Sequence, residues 1–187
     1  MQAHFILLAL SLLSSIFMVV QRQVKYFTIY SWTTYILLSF LALYVDFSAR
    51  VAATVALSLG FLLVFSILSY RCSTSLGGRL DDLNGLAFLS PKTTWLLAIS
   101  CYALAMLPPF APFILEHLIN TKVEPPSVFL LELTRVMLLL GFAKIVAHGL
   151  LKAERGGSVH VKNVTPYALT VAVLIIASII LFVGVGG

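Results

Sequence analysis

The sequence predicts an all-α polytopic membrane protein with six transmembrane helices, the fourth of them interrupted at Pro108-Pro109 through Pro112. Three observations carry that expectation. Hydrophobic residues make up 60% of the chain and charged residues only 10%, against roughly a quarter charged in a soluble domain. Mean hydropathy is +1.05. The apolar residues fall into runs near the ~20 residues that a helix needs to cross a bilayer. The 187 residues are therefore read as one transmembrane domain, residues 1–187, with spans at about 5–20, 27–45, 51–70, 94–119, 127–151 and 164–183.

The first span follows His4, and no Lys or Arg stands before Arg22. Neither the basic start of a cleaved signal nor an Arg-rich transit peptide is visible. The second span is rich in hydroxyl and aromatic groups: Thr28, Tyr30, Ser31, Trp32, Thr33, Thr34 and Tyr35. Such groups cost little when they bond across helices or back to their own carbonyls, so interhelical bonding and a water-lined path are both open readings. The third span carries Gly60 among small residues, a pattern that permits close helix contact. A Ser/Gly-rich loop from Arg71 to Lys92 follows. Its Asp81 and Asp82 have no His or metal ligand beside them, so they read as a solvated loop or a short-helix cap rather than as a catalytic pair.

The fourth span holds the most informative stretch, Leu107-Pro108-Pro109-Phe110-Ala111-Pro112, with Glu116 one turn beyond it. Three prolines in five residues remove backbone donors and clash with the preceding turn, which breaks a continuous helix. Non-helical backbone at membrane depth is tolerated where protein covers it or where it lines a cavity. A break beside a carboxylate is a means of placing a proton-binding group within the membrane. The competing reading ends the helix at Met106 and leaves Glu116 in water at the interface. The fifth span contains Glu132 and Arg135 at i,i+3, either an intramembrane pair or a pair near an interface. Lys144 and His148, at i,i+4 near its end, can snorkel. The sixth span has no charge and reads as a packing or lipid-facing helix.

The loops set an orientation. Loops one, three and five hold Arg22, Lys25, Arg71, Arg79, Lys92, Lys152, Arg155 and Lys162, whereas loops two and four hold Arg50 and Lys122. That asymmetry places the odd loops on the cytoplasmic or matrix side and both termini outside. The net charge of +5 is then topogenic, and no nucleic-acid patch is present. Cys72 and Cys101 lack CxxC spacing or a His cluster, so no metal site is proposed.

Three stretches together resemble a known family. Gln21-Arg22-Gln23-Val24-Lys25 with Ile29-Tyr30-Ser31 looks like the Gln-x-Asp-Ile-Lys…Ala-Tyr-Ser motif of the antiporter-like subunits of respiratory complex I. Leu59-Gly60-Phe61 through Tyr70-Arg71 is similar to their His-Gly-Leu…Tyr-Glu-Arg helix, with Gly85-Leu86 and Pro91 also in place. Leu107-Pro108-Pro109…Phe113-x-x-Glu116 resembles the interrupted twelfth helix of NADH dehydrogenase subunit 4, where Glu stands in place of the Lys of subunits 2 and 5 and of the related Mrp antiporters. The six spans would correspond to the family's ninth to fourteenth helices, the C-terminal half of a subunit 4. That half is either a split-gene fragment or a truncated, partly degenerate version.

The sequence also departs from the family. Leu59 replaces the His of His-Gly-Leu, Gln23 replaces the Asp of the first motif, and the second span reads Ser31-Trp32-Thr33-Thr34-Tyr35 with no His. The resemblance implies a proton half-channel in the membrane arm of NADH:ubiquinone oxidoreductase. Glu116 would exchange the proton, Pro108, Pro109 and Pro112 would form the helix break, and Lys144 or His148 would continue the path, with Lys144 the nominated partner of Glu116. It implies no cofactor on this chain; flavin, iron–sulfur centres and quinone are expected on other subunits. The implied partners are other membrane-arm subunits, lipids, and the N-terminal half of the subunit on a separate chain, packed against polar residues of the second and fifth spans. The mitochondrial inner membrane is the favoured location, with a prokaryotic plasma membrane as the alternative. Competing readings are a structural remnant without transport, an antiporter-like subunit of an energy-converting hydrogenase, and an unrelated small transporter.

Overall fold

The computed structural model describes residues 2–76, 78–150 and 165–186, and every described helix begins or ends where the sequence changes character. Helix α1 (Gln2–Val20) and α2 (Val24–Val45) form an antiparallel hairpin across the polar turn Gln21–Gln23. Helix α3 (Ala49–Leu76) extends six residues beyond the apolar run, through Arg71-Cys72-Ser73-Thr74-Ser75-Leu76, because nothing there breaks a helix. Much of the stretch expected to be loop is therefore ordered as helix or turn. A 3₁₀ turn covers Leu80–Leu83, α4 covers Leu86–Leu89, and α5 (Pro91–Leu104) starts at a proline, whose fixed φ suits the first helical position. Helices α6 (Ala111–Asn120), α7 (Pro125–Leu150) and α8 (Thr165–Gly186) complete the bundle. The loop cations Lys152, Arg155 and Lys162 and the ends of the expected fifth and sixth spans at Leu151 and Val164 lie outside the described residues.

Four helices are long and apolar enough to cross a membrane on their own: Ala3–Val20, Val24–Val45, Ala49–Leu76 and Pro166–Gly184. The chain is a multi-pass membrane protein. Helix α7 is equally long but carries Glu132, Arg135 and Lys144. Helices α5 and α6, at 14 and 10 residues, are each too short to span alone.

Helix α3 is the hub, packing on α2, α5, α6 and α8 through Phe61, Leu62, Phe65 and Leu68, all fully buried. At Gly60 the approach to α8 is close: a Cβ there would lie 2.9 Å from Leu174 Cδ2. Helix α1 packs on α2 and α7, and an added Cβ at Gly141 would come within 2.3 Å of Met18 Cε. Between these contacts the rings of Phe27, Phe65 and Phe142 meet edge to face or tilted, with centroids 5.3–6.1 Å apart. Outward faces of α8 present Leu169, Val173, Ile176, Ile180 and Val183, as a lipid-facing helix would.

The hydroxyl-rich α2 does not present the polar flank expected of it. Its outward residues are mainly Tyr26, Ile29, Ile36, Phe40 and Tyr44, with Lys25 and Thr33 among them. Thr28, Ser31, Thr33 and Thr34 each donate to the carbonyl four residues earlier, at 2.9–3.1 Å. Trp32 Nε1 donates to Ser66 Oγ on α3 at 2.8 Å, and Ser14 Oγ donates across to the Tyr30 carbonyl at 3.0 Å. Interhelical and self-bonding account for these groups, so α2 offers a lipid-compatible face.

Candidate functional site

The site forms where α5 stops. Its last turn ends at Leu104, Met106 takes a left-handed φ of 56°, the Pro108-Pro109 bond is cis, and α6 begins at Ala111. A helix end leaves its final carbonyls without intrahelical donors. One of them, Leu104 O, accepts a hydrogen bond from the hydroxyl of Tyr35, a fully buried side chain of α2. The segment is covered by protein: Leu104, Ala105, Met106 and Ala111 are buried, and the Phe110 ring packs edge-on against Phe61 and Tyr102. Pro112 is buried in the first turn of α6, whereas Pro108 is exposed.

The second turn of α6 carries Glu116, only 3% exposed. Its Oε2 lies 3.7 Å from Arg135 Nη1 on α7, and the same Nη1 lies 3.6 Å from Glu132 Oε2. The guanidinium also sits over the Phe113 ring, 5.7 Å from its centroid. Side-chain exposure rises from 4% at Glu116 to 30% at Arg135 and 44% at Glu132. The three groups thus form a file from the bundle interior to its surface, two carboxylates sharing one guanidinium.

Lys144 is not part of that file. It lies nine residues beyond Arg135, about 13–14 Å along the helix, and its Nζ donates to the carbonyls of Val19 at 3.0 Å and Gln21 at 2.9 Å. There it caps the C-terminus of α1, where carbonyls are orphaned and the helix dipole favours a cation. The intrachain cation of Glu116 is Arg135, not Lys144. His148 belongs to Lys144's end of α7: its Nδ1 is 2.9 Å from Asn84 Oδ1 and 4.0 Å from Asp81 Oδ1, and Asp81 contacts Arg79 at 3.9 Å. This end is tied down by main-chain bonds from Leu80 N to Arg22 O (2.7 Å) and from Val24 N to Gly78 O (3.0 Å). Asp82 caps the 3₁₀ turn by accepting from Arg79 N at 3.0 Å.

Between the two polar ends of α7 lie Leu138, Gly141 and Phe142, packed with Met18, Phe27 and Phe65; the five side chains of that group are at most 1% exposed. The interior between Arg135 and Lys144 is mostly apolar and carries the buried hydroxyl of Ser31, 3.1 Å from the Met18 sulfur and 2.9 Å from the Phe27 carbonyl. Among the described residues no group of three or more His, Cys, Asp or Glu side chains is placed to hold a metal, and Cys72 and Cys101 are free and buried.

Comparison with solved structures adds the fold's relatives. One chain of respiratory complex I from Thermus thermophilus with bound aureothin superposes with a TM-score of 0.69 at 14% identity, over 97% of this chain and 42% of that one. One chain of the membrane-bound sulfane sulfur reductase, an archaeal respiratory membrane complex, gives 0.71 at 18% identity, over 96% and 39%. The fold is one used in respiratory membrane complexes. This chain spans about two fifths of the length of those two. Compared with known families and with curated proteins, the sequence has no match.

Proposed function

We propose that this chain is an antiporter-like, proton-translocating membrane-arm subunit of a respiratory complex of the complex I type, equivalent to the C-terminal half of a subunit 4. The observation that carries the proposal is Glu116, a buried carboxylate just past a proline break that shares Arg135 with Glu132. The motif resemblance around Gln21, Gly60 and Pro108, and the fold shared with chains of two respiratory complexes, support the same reading. In it, α5 and α6 make a single interrupted span and α7 a charged one, giving six crossings.

The chemistry follows from charge. With both carboxylates ionised the trio carries one net negative charge; with one proton bound it is neutral, and neutrality is favoured away from water. Arg135 holds the file together while a proton passes between Glu116 and Glu132, and Glu132 is the group nearest the surface. A half-exposed carboxylate facing lipid is costly, so a neighbouring chain covers Glu132, and the N-terminal half of the subunit is the natural candidate. Lys144 and His148 form a separate polar end on the odd-loop side, divided from Glu116 by the Phe27, Phe65 and Phe142 rings. Protons then reach Glu116 laterally, from that neighbour, and not along α7. The membrane is the mitochondrial inner membrane, or the plasma membrane if the source is prokaryotic. Redox centres reside on other subunits.

The apolar block and the missing histidines favour a second reading, a structural remnant in which the same scaffold no longer moves protons. Solubilising native membranes and following a tagged chain separates both from an unrelated transporter. The proposal expects the chain in a large assembly with flavin and iron–sulfur subunits. Recovery as a lone homo-oligomer contradicts both readings.

A further inference from the structure

Helices α5 and α7 run antiparallel and leave an apolar groove of about 510 Å³ between them, with Trp95, Tyr102, Leu107, Leu139, Val146 and Leu150 along its walls. Small residues make the depression: Ala98 and Ala105 on one side, Ala143 and Ala147 on the other. No charged or amide side chain lines it. Its direction is set by the start of α5 lying against the end of α7, where Thr94 Cγ2 is 3.8 Å from the Cβ position of Gly149. Trp95 and Leu150 therefore mark one mouth, on the side of the cation-rich loops, and Leu107 and Leu139 the opposite end near the proline break.

Two features of that mouth point to an occupant. Trp95 is 70% exposed, an amphipathic ring of the kind that sits at headgroup level. Lys92 is exposed one turn earlier on the same helix face, so a cation stands at the opening. The groove's dimensions narrow the choice. From Trp95 to Ala105 it runs roughly 15 Å at 1.5 Å per residue, a length along which one extended hydrocarbon chain can lie.

We propose that this groove is a binding site for an anionic phospholipid, one acyl chain lying between α5 and α7, the glycerol region at Trp95 and the phosphate on Lys92. A basic site on the positive-loop side of a bundle is where anionic headgroups collect. The inference does not depend on whether protons pass through Glu116.

The chain has two tryptophans, Trp32 and Trp95, so W32F leaves Trp95 as the sole reporter. The full chain carrying W32F is placed in nanodiscs of phosphatidylcholine with increasing fractions of acyl-brominated phosphatidylglycerol or of acyl-brominated phosphatidylcholine. Trp95 should be half-quenched at about fivefold lower mole fraction of the anionic lipid, the preference one lysine confers. K92Q, an exposed substitution that leaves the groove intact, should erase that preference and keep the quenching. A147F, which fills the groove, should remove the high-affinity phase for both lipids. Equal quenching by the two lipids, or an unchanged preference in K92Q, overturns the proposal. Absence of quenching by either lipid also overturns it.

Discussion

Glu116 is buried beside a guanidinium because the alternatives are costly at this depth. A carboxylate at membrane depth facing lipid costs roughly 2.5–3.5 kcal/mol or more. Removing Arg135 would leave that carboxylate buried without its cation, so Arg135→Gln should destabilise the chain by about 2–4 kcal/mol, somewhat below a fully buried pair because Arg135 is 30% exposed. Glu132→Gln, at the open end of the file, should cost under about 1 kcal/mol. Unfolding of both variants in one detergent measures the difference; equal effects would show that Arg135 does not serve Glu116. Lys144→Met removes two bonds to the Val19 and Gln21 carbonyls and should lower stability while leaving proton movement unchanged. Altered proton movement in a stably assembled Lys144→Met would place Lys144 on the path. The burial of Glu116 was readable from its setting in an apolar segment. Its partner was not, because whether Arg135 or Lys144 reaches it depends on where α6 meets α7 in depth, which single-helix spacing does not encode.

The elements show the same division. The prolines account for α5 ending at Leu104 and α6 beginning at Ala111, and the apolar runs placed α1, α2, α3 and α8 to within a few residues, save for the C-terminal extension of α3. The donor that caps the end of α5 was not legible: Tyr35 lies 69 residues from Leu104, and only the packing of α2 brings its hydroxyl to that carbonyl. Tyr35→Phe should leave the Leu104 carbonyl unpaired in a dry place and cost about 1–3 kcal/mol, with faster hydrogen exchange confined to the end of α5. Uniformly faster exchange throughout the bundle would instead mark Tyr35 as a general packing residue. The hydroxyls of α2 misled for a related reason. Thr28, Ser31, Thr33 and Thr34 satisfy themselves on their own helix, so a polar sequence yields an outer face that is mainly apolar and aromatic. At Gly141, where Met18 and Phe27 press against the backbone, Gly141→Leu should push α1 from α7 and cost about 1–3 kcal/mol by overpacking.

At the scale of the molecule, α7 carries two polar ends of different character. One is a carboxylate–guanidinium file that opens at the surface through Glu132; the other is a tied-down cluster of Lys144, His148, Asn84 and Asp81 beneath the cation-rich loop. The charge asymmetry of the loops predicts that the 78–84 turn lies on the cytoplasmic or matrix face. A cysteine at Asp81, 58% exposed, should therefore react with an impermeant maleimide from that face of sealed vesicles only; labelling from the opposite face would invert the topology. An all-helical membrane fold was legible because bilayer-length apolar runs admit few other structures, whereas the separation of the two polar ends came only from the packing of Phe27, Phe65 and Phe142 across α2, α3 and α7. The central claim, that Glu116 exchanges a proton in a working half-channel, is tested most directly by Glu116→Gln in the assembled complex. Protons translocated per electron are measured beside electron transfer and assembly. The account predicts normal assembly with a reduced ratio of protons to electrons, and an unchanged ratio in a fully assembled complex would contradict it.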